Sequence, residues 1–307
     1  MTTAHLIPDS ASGSSAVPRT RTGEVPRTPE QEARHQAWRL CKRAIGLAVL
    51  IGCGVVCGLR GHMAVPIVMA IFAACGLCDV LRNSRRNFFT FDNYFCGNGI
   101  GAWLLSPFNL CMDVLALPYL NKGVYELQDL PRSTQVESNA LILAAGEADV
   151  IGKLNARIGD GRSMIFFKWY GRNLENSIDI PAFHKPCRAI QTIGVSVFNR
   201  RQSTSWHFGP LRATLRVLYN LRPAEDDGAV IGGGRHTHRW NQGSLFIFDD
   251  TLMHRSCNET DTVRYCLFVD IIRPGLFPGL MRAIVAGLRV LILPVRFVFY
   301  GRWQQIR

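Results

Sequence analysis

The sequence predicts a mainly β fold, an antiparallel barrel or jelly roll, preceded by an apolar helical hairpin and followed by a basic helix. Three observations predict it. From residue 165 to residue 272 the chain runs through short β-branched and aromatic segments, most of them separated by Gly, Asn, Asp or Pro clusters. Residues 44–81 are almost wholly apolar, whereas residues 1–43 are not. After Pro274, Arg282, Arg289 and Arg296 recur every seven residues among Leu, Ile, Val, Ala and Phe.

The totals set bounds. A chain of 307 residues can hold one sizeable core with accessories, or two small domains. The formal charge of +12 asks for an anionic partner. The apolar segments point to an anionic membrane surface rather than nucleic acid. Ten cysteines show no framework spacing. Cys75 and Cys78 have a metal-like interval, but no second pair follows, so the thiols read as reduced and the protein as facing the cytosol.

Residues 1–27 are rich in Ser, Thr, Pro, Gly and Ala without apolar periodicity, and are expected to be disordered. Thr28, Pro29 and Gln31 form a helix start, with a cap, a first-turn proline and a capping-box partner. Ala44–Leu59 and Met63–Leu81 are apolar runs interrupted by Arg60, Gly61 and His62. Basic residues flank both outer ends: Arg34, Arg39, Lys42 and Arg43 before, Arg82, Arg85 and Arg86 after. By the positive-inside rule this reads as a membrane hairpin with both ends in the cytoplasm, against a re-entrant or interfacial anchor as the competing reading.

Residues 87–131 are aromatic, Gly-rich and broken by Pro107 and Pro118, and read as a membrane-surface segment or part of a lid. Residues 132–158 read as helical. The strands expected next are Ile165–Trp169, Ile193–Phe198, Ala213–Leu221, Ala229–Ile231, Leu245–Phe248 and Arg264–Ile272. The tail reads as a basic amphipathic helix kinked at Pro294, either in the membrane interface or packed on the barrel. The resulting units are a disordered 1–27, a membrane anchor over 28–86, a membrane-proximal linker over 87–131, a catalytic domain over 132–275 and a basic helix over 276–307.

The chemistry centres on His207 and His254, each at the edge of a strand-like segment. Arg216 follows the first and Arg264 the second, at intervals of nine and ten residues. Two neutral imidazoles can hold a divalent metal with coordination positions left open, and two arginines can hold a dicarboxylate. Alternation places Arg264 on one face with Cys266 and Phe268, and Arg216 with Thr214 and Leu218. A charge in such a run needs a partner. Asp249, Asp250 and Asp270 are the structural candidates, and a bound carboxylate is the functional one.

The block His207-Phe208-Gly209-Pro210, the pair Arg212 and Arg216, and Phe248-Asp249-Asp250 with His254 carry a resemblance. Asn258, Arg264 and the stretch from Val269 to Pro274 complete it. Residues 165–275 resemble the aspartyl/asparaginyl β-hydroxylase family of Fe(II)/2-oxoglutarate oxygenases. Phe167-Lys168-Trp169-Tyr170-Gly171, the stretch from Ser106 to Pro131 and the apolar N-terminal segment are similar to its bacterial lipid A 2-hydroxylase branch.

The resemblance implies a cupin-like double-stranded β-helix, with His207 and His254 as Fe(II) ligands. It implies Arg264 at the distal carboxylate of 2-oxoglutarate, with Ser196 and Arg216 in support. Gly209 departs from the lipid A branch, which carries a third, carboxylate ligand there. The family's animal peptide hydroxylases also carry Gly and complete the metal shell with water. Leu218 departs from those peptide hydroxylases, which carry His.

The expected protein is therefore an enzyme of the bacterial inner membrane, with its catalytic domain facing the cytoplasm. It would use Fe(II), 2-oxoglutarate and O2 to hydroxylate an acyl chain of lipid A or of ornithine lipid. The alternatives are a peptide aspartyl/asparaginyl β-hydroxylase and an inactive membrane scaffold that kept the barrel. A zinc hydrolase lacks a third ligand and a placed base.

Overall fold

A computed structural model describes residues 29–119, 122–158, 161–233, 236–292 and 304–306. The expectations for residues 1–27, Thr28, Pro294 and Arg296 lie outside the described residues.

Helix α1, Pro29–Leu59, runs unbroken from the basic stretch through the first apolar run. A short turn with Gly61 at φ +80°, in the left-handed region that favours glycine, leads into α2, Ala64–Leu81. Helix α2 is long and apolar enough to cross a membrane, while the apolar part of α1 is shorter. Most apolar side chains of both stay exposed, Ile45, Leu47, Val49, Ile67 and Val68 among them.

Residues 87–131 are more structured than a linker. They form α3, Phe88–Cys96, α4, Ile100–Leu104, α5, Ser106–Leu115, and the short strand β1, Val124–Tyr125. The Asn87 side chain caps α3 by accepting from the Thr90 amide at 3.0 Å. Helices α3, α4 and α5 all pack against α2. Then come α6, Arg132–Glu147, and α7, Val150–Asn155.

The strands follow as β2, Arg162–Trp169, β3, Arg172–Asn173, β4, Ile190–Phe198, β5, Gln202–Ser203, and β6, Thr214–Asn220, with the short helix α8, Pro181–His184, before β4. They continue as β7, Ala229–Gly233, β8, His236–Arg239, β9, Leu245–Phe248, β10, His254–Asn258, and β11, Arg264–Ile272. One sheet has the order β1-β9-β6-β11-β4-β2-β12, where β12 is Gln304–Gln305, and the other β5-β10-β7-β8. From β4 to β11 the chain passes back and forth between the two sheets, which is the winding of a jelly roll.

Helix α9, Pro278–Ile292, buries Met281 and Val285 against the barrel core while Arg282 stays exposed. The basic helix expected over 276–307 therefore does not reach the chain end, because residues 304–305 pair with β2 as a strand. Packing on the barrel is what the described part of α9 does.

The large sheet is buried on both faces. Tyr265, Leu267, Val269 and Ile271 of β11 join a cluster with Leu141, Leu154 and Phe183 from α6, α7 and α8. Cys266, Phe268 and Ile272 join a second cluster with Ile231 and Phe246. Two-sided burial explains why these strands read as continuous apolar runs. Each large apolar side chain so buried contributes roughly 1.5–3 kcal/mol.

Candidate active site

His207 and His254 meet across an antiparallel bridge, each backbone amide donating to the other's carbonyl at 2.9 Å. Their ring centroids lie 4.2 Å apart. Each Nδ1 faces a carbonyl at 2.8 Å, Ser205 for His207 and Leu252 for His254. Nδ1 must then carry the proton, which leaves both Nε2 lone pairs free. Burial pushes the His207 imidazole down to about 4. Burial, then the neighbouring His207, holds His254 well below its ordinary value. Both rings are thus neutral at pH 7 and suited to a divalent metal. Among the described residues no third His, Cys, Asp or Glu joins them to complete a ligand cluster.

Gly209 explains that. A Cβ on residue 209 would stand 2.5 Å from the Asp250 Cγ and Oδ2. The space into which a side chain at 209 would project is therefore filled by the Asp250 carboxyl. Arg216 fixes it there, donating to Asp250 at 2.8 Å and to Asp270 at 2.7 Å. Burial pushes Asp250 up to about 7 against the pull of Arg216. A Gly209→Asp variant is expected to lose about 1–3 kcal/mol to overpacking. Adding Asp250→Gly should recover most of that loss, as a double-mutant cycle in denaturant would measure.

Arg264 is the opposite case. It is buried, with its guanidinium 4.3 Å from the Phe198 ring centroid and 5.3 Å from that of Trp240. Its Nη2 donates to the Ser256 Oγ at 2.7 Å, while Nε and Nη1 are buried without a partner. Burial lowers its pKa, and no carboxylate reaches it among the described residues. His254 and Ser256 share the inward face of β10, so this cation lies inside the same barrel as the histidine pair. Two orphaned donors on a buried guanidinium fit a planar oxoanion such as a carboxylate. Ser196, opposite Cys266 in the β4–β11 register, donates to the Cys266 carbonyl at 3.3 Å.

The structure brings His207, His254, Arg264 and Ser196 into one barrel and separates the roles of the two arginines. Arg216, expected to support the cosubstrate, is already paired with two of the three structural candidates, so a ligand's charge falls to Arg264. Sequence reasoning missed Ser256 and Trp240, which hold Arg264. Ser256 was legible only as a polar residue two places after His254.

A buried ion network joins this barrel to α2. Arg212 donates to Asp79 and to Asp113, both at 2.7 Å. Arg82 donates to Asp249 at 3.0 Å, and Arg273 to the same carboxylate at 3.2 Å. Burial alone would raise Asp249, but Arg273, Arg82 and Arg212 hold it well below the usual carboxylate range.

Residues 158–274 match the family model described as aspartyl/asparaginyl beta-hydroxylase. Over 91 residues, 29% of this chain, the sequence is 33% identical to the ornithine lipid ester-linked acyl 2-hydroxylase of Rhizobium tropici, covering 32% of that protein. Over 80 residues, 26% of this chain, it is 30% identical to the aspartyl/asparaginyl beta-hydroxylase of Mus musculus, covering 11% of it. The chain thus matches a third or less of the length of either relative.

Among solved structures, a 2OG-Fe(II) oxygenase family oxidoreductase from Burkholderia pseudomallei overlaps 49% of this chain and 92% of its own, with a TM-score of 0.31 and 14% identity. A cupin domain from Bordetella pertussis overlaps 37% and 98%, with a TM-score of 0.23 and 14% identity. The strand order, rather than these overlaps, establishes the jelly roll.

Proposed function

We propose that this chain, whose residues 158–274 match the aspartyl/asparaginyl beta-hydroxylase family model, is a membrane-anchored hydroxylase, dependent on Fe(II) and 2-oxoglutarate, that acts on an acyl chain of a bacterial membrane lipid. The observation that carries this reading is Arg264, a buried guanidinium with two orphaned donors inside the barrel that holds the histidine pair. A structural arginine would have a carboxylate, as Arg212, Arg216 and Arg273 do.

His207 and His254 would hold the metal through Nε2, their tautomers being set by the carbonyls of Ser205 and Leu252. Arg264 binds and orients the distal carboxylate of 2-oxoglutarate, beside Ser196. Arg216 keeps the Asp250 carboxyl in place, and its charge also helps hold both imidazoles neutral. Phe248, 5.0 Å from the His254 ring, and Phe246 line the interior with apolar surface that keeps bulk water out. When bound, the metal and 2-oxoglutarate would let O2 act as the oxidant: one of its oxygen atoms replaces a substrate C–H with C–OH, and the other converts 2-oxoglutarate to succinate and CO2.

Support for a lipid substrate comes from the exposed apolar faces of α1 and α2 and from their basic flanks, Arg82, Arg85 and Arg86 among them. The name of the Rhizobium tropici relative puts ornithine lipid ahead of lipid A. Helices α1 and α2 joined by a short turn favour a hairpin with both ends on the cytoplasmic side of the inner membrane.

The test is mass spectrometry of membrane lipids from cells expressing the wild type or His207→Ala. One lipid class should gain a single oxygen with the wild type only. No change, together with no turnover of 2-oxoglutarate by the iron-loaded protein, would reject the enzyme and leave the inactive scaffold.

A further inference from the structure

The two stretches that carry the histidines also carry, one residue away, groups that the reaction does not use. Trp206 precedes His207 and Arg255 follows His254. Strand alternation sends His254 into the barrel and Arg255 out to solvent. Arg255 lies over the Trp206 ring, 4.9 Å from its centroid. Arg85, one turn past the end of α2, lies over the same ring at the same distance. Both arginines are exposed, and neither forms an ion pair with a carboxylate among the described residues.

This arrangement is held in place. The Asn83 Oδ1 accepts from the Met253 amide at 2.8 Å, next to His254. The side-chain amides of Asn93 and Asn98 both donate to the Trp206 carbonyl, at 3.1 and 2.7 Å. The segment that leaves α2 therefore grips both histidine-bearing stretches and brings Arg85 to the rim. A narrow cleft there is lined by Asn83, Ser84, Arg85, Trp206 and Met253. Exposed Phe88, Phe89 and Phe91 follow close behind in sequence, apolar side chains of the kind that an interfacial helix buries at the acyl boundary.

Two exposed cations held at one indole without a counter-charge make a local positive patch, and an oxoanion drawn to it gains charge-assisted hydrogen bonds from these guanidinia. We propose that Arg85 and Arg255, seated on Trp206, form a head-group site that binds the oxoanion, phosphate or carboxylate, of an anionic membrane lipid outside the barrel. This deepens the hydroxylase reading and rests on it for the role of the bound lipid: the head group stays at the rim while the first carbons of the acyl chain reach the histidine pair.

The experiment titrates the detergent-solubilised full chain with dihexanoyl phosphatidate, with N-octanoylglycine as the carboxylate probe, with neutral dihexanoylglycerol and with inorganic phosphate. The proteins are the wild type, Arg85→Gln/Arg255→Gln, and Arg282→Gln as a basic-surface control. At least one anionic probe should bind the wild type and the control alike, and bind the double variant at least about 10-fold more weakly, the loss of one charge-assisted hydrogen bond or more.

Equal binding by the double variant, or equal binding of the neutral lipid, would overturn the proposal. So would inorganic phosphate binding as tightly as phosphatidate, since the site would then recognise a free anion. Unchanged thermal unfolding of the double variant guards against a folding defect, and Arg85→Lys/Arg255→Lys should recover part of the affinity. The titration needs neither metal nor turnover. Its failure leaves the hydroxylase standing, and a silent lipid profile with binding retained rejects only the hydroxylase.

Discussion

Replacing Arg264 with methionine is expected to abolish 2-oxoglutarate binding and, in the same variant, to make the ligand-free protein more stable. The two effects share one cause. Burial strips water from the guanidinium, and Ser256 satisfies only one of its nitrogens. A buried polar group left unsatisfied costs on the order of 1–3 kcal/mol, and a charged one more. Methionine removes that cost and keeps the stacking volume between Phe198 and Trp240. On the proposed function 2-oxoglutarate supplies the missing acceptor in the wild type, so at about 100 times its dissociation constant it should stabilise the fold by about 2.7 kcal/mol. Thermal unfolding with and without the ligand checks both halves. A variant that is less stable, or that still gains stability from 2-oxoglutarate, would sink the assignment.

The second large effect is expected at Arg212. Arg212→Met leaves Asp79 and Asp113 without their shared cation and removes one of three guanidinia around Asp249. Removing one partner from such a buried set typically costs about 3–5 kcal/mol. The pH dependence has a definite sign. Asp249 sits below its unfolded value, so its contribution is present above that value, about pH 4, and is lost as pH falls through the folded value. Acid unfolding of Arg212→Met should therefore begin at a higher pH than in the wild type. Circular dichroism during an acid titration measures it, and an unchanged midpoint would mean that Arg212 is compensated elsewhere.

The large sheet was legible because β4 and β11 are buried on both faces and β6 on most of both, which leaves continuous apolar runs. The small sheet was mostly not. Strand β8 is His-Thr-His-Arg at an edge, and β10 is His-Arg-Ser-Cys-Asn. Their residues answer to the site and to solvent instead of to a core, so no alternation marks them. Of the candidate residues, the pairing of His207 with His254 followed from the motif, and the partners of Arg216 were among the acids named for it. What could not be read was the difference between the two arginines. Arg216 and Arg264 look alike in sequence, and only the register that sets Asp270 opposite Arg216 decides which is neutralised. The filling of the space beside Gly209 by Asp250 was hidden for the same reason, because the two meet through folding and not through spacing.

The ion network also imposes an order in time. Its members come from residues 79, 82, 113, 212, 249 and 273, so its last arginine is added only when β11 is complete. Until then Asp79 and Arg82 wait at the end of an apolar helix that left the ribosome long before. The helical segment can reach its surroundings early, but it cannot be joined to the barrel until nearly the whole chain is made. A truncation between Asp249 and Arg273 would leave Asp249 short of a guanidinium. The order of synthesis therefore makes this junction a late one: α2 is locked to the barrel only after synthesis has passed the last residue that the network needs.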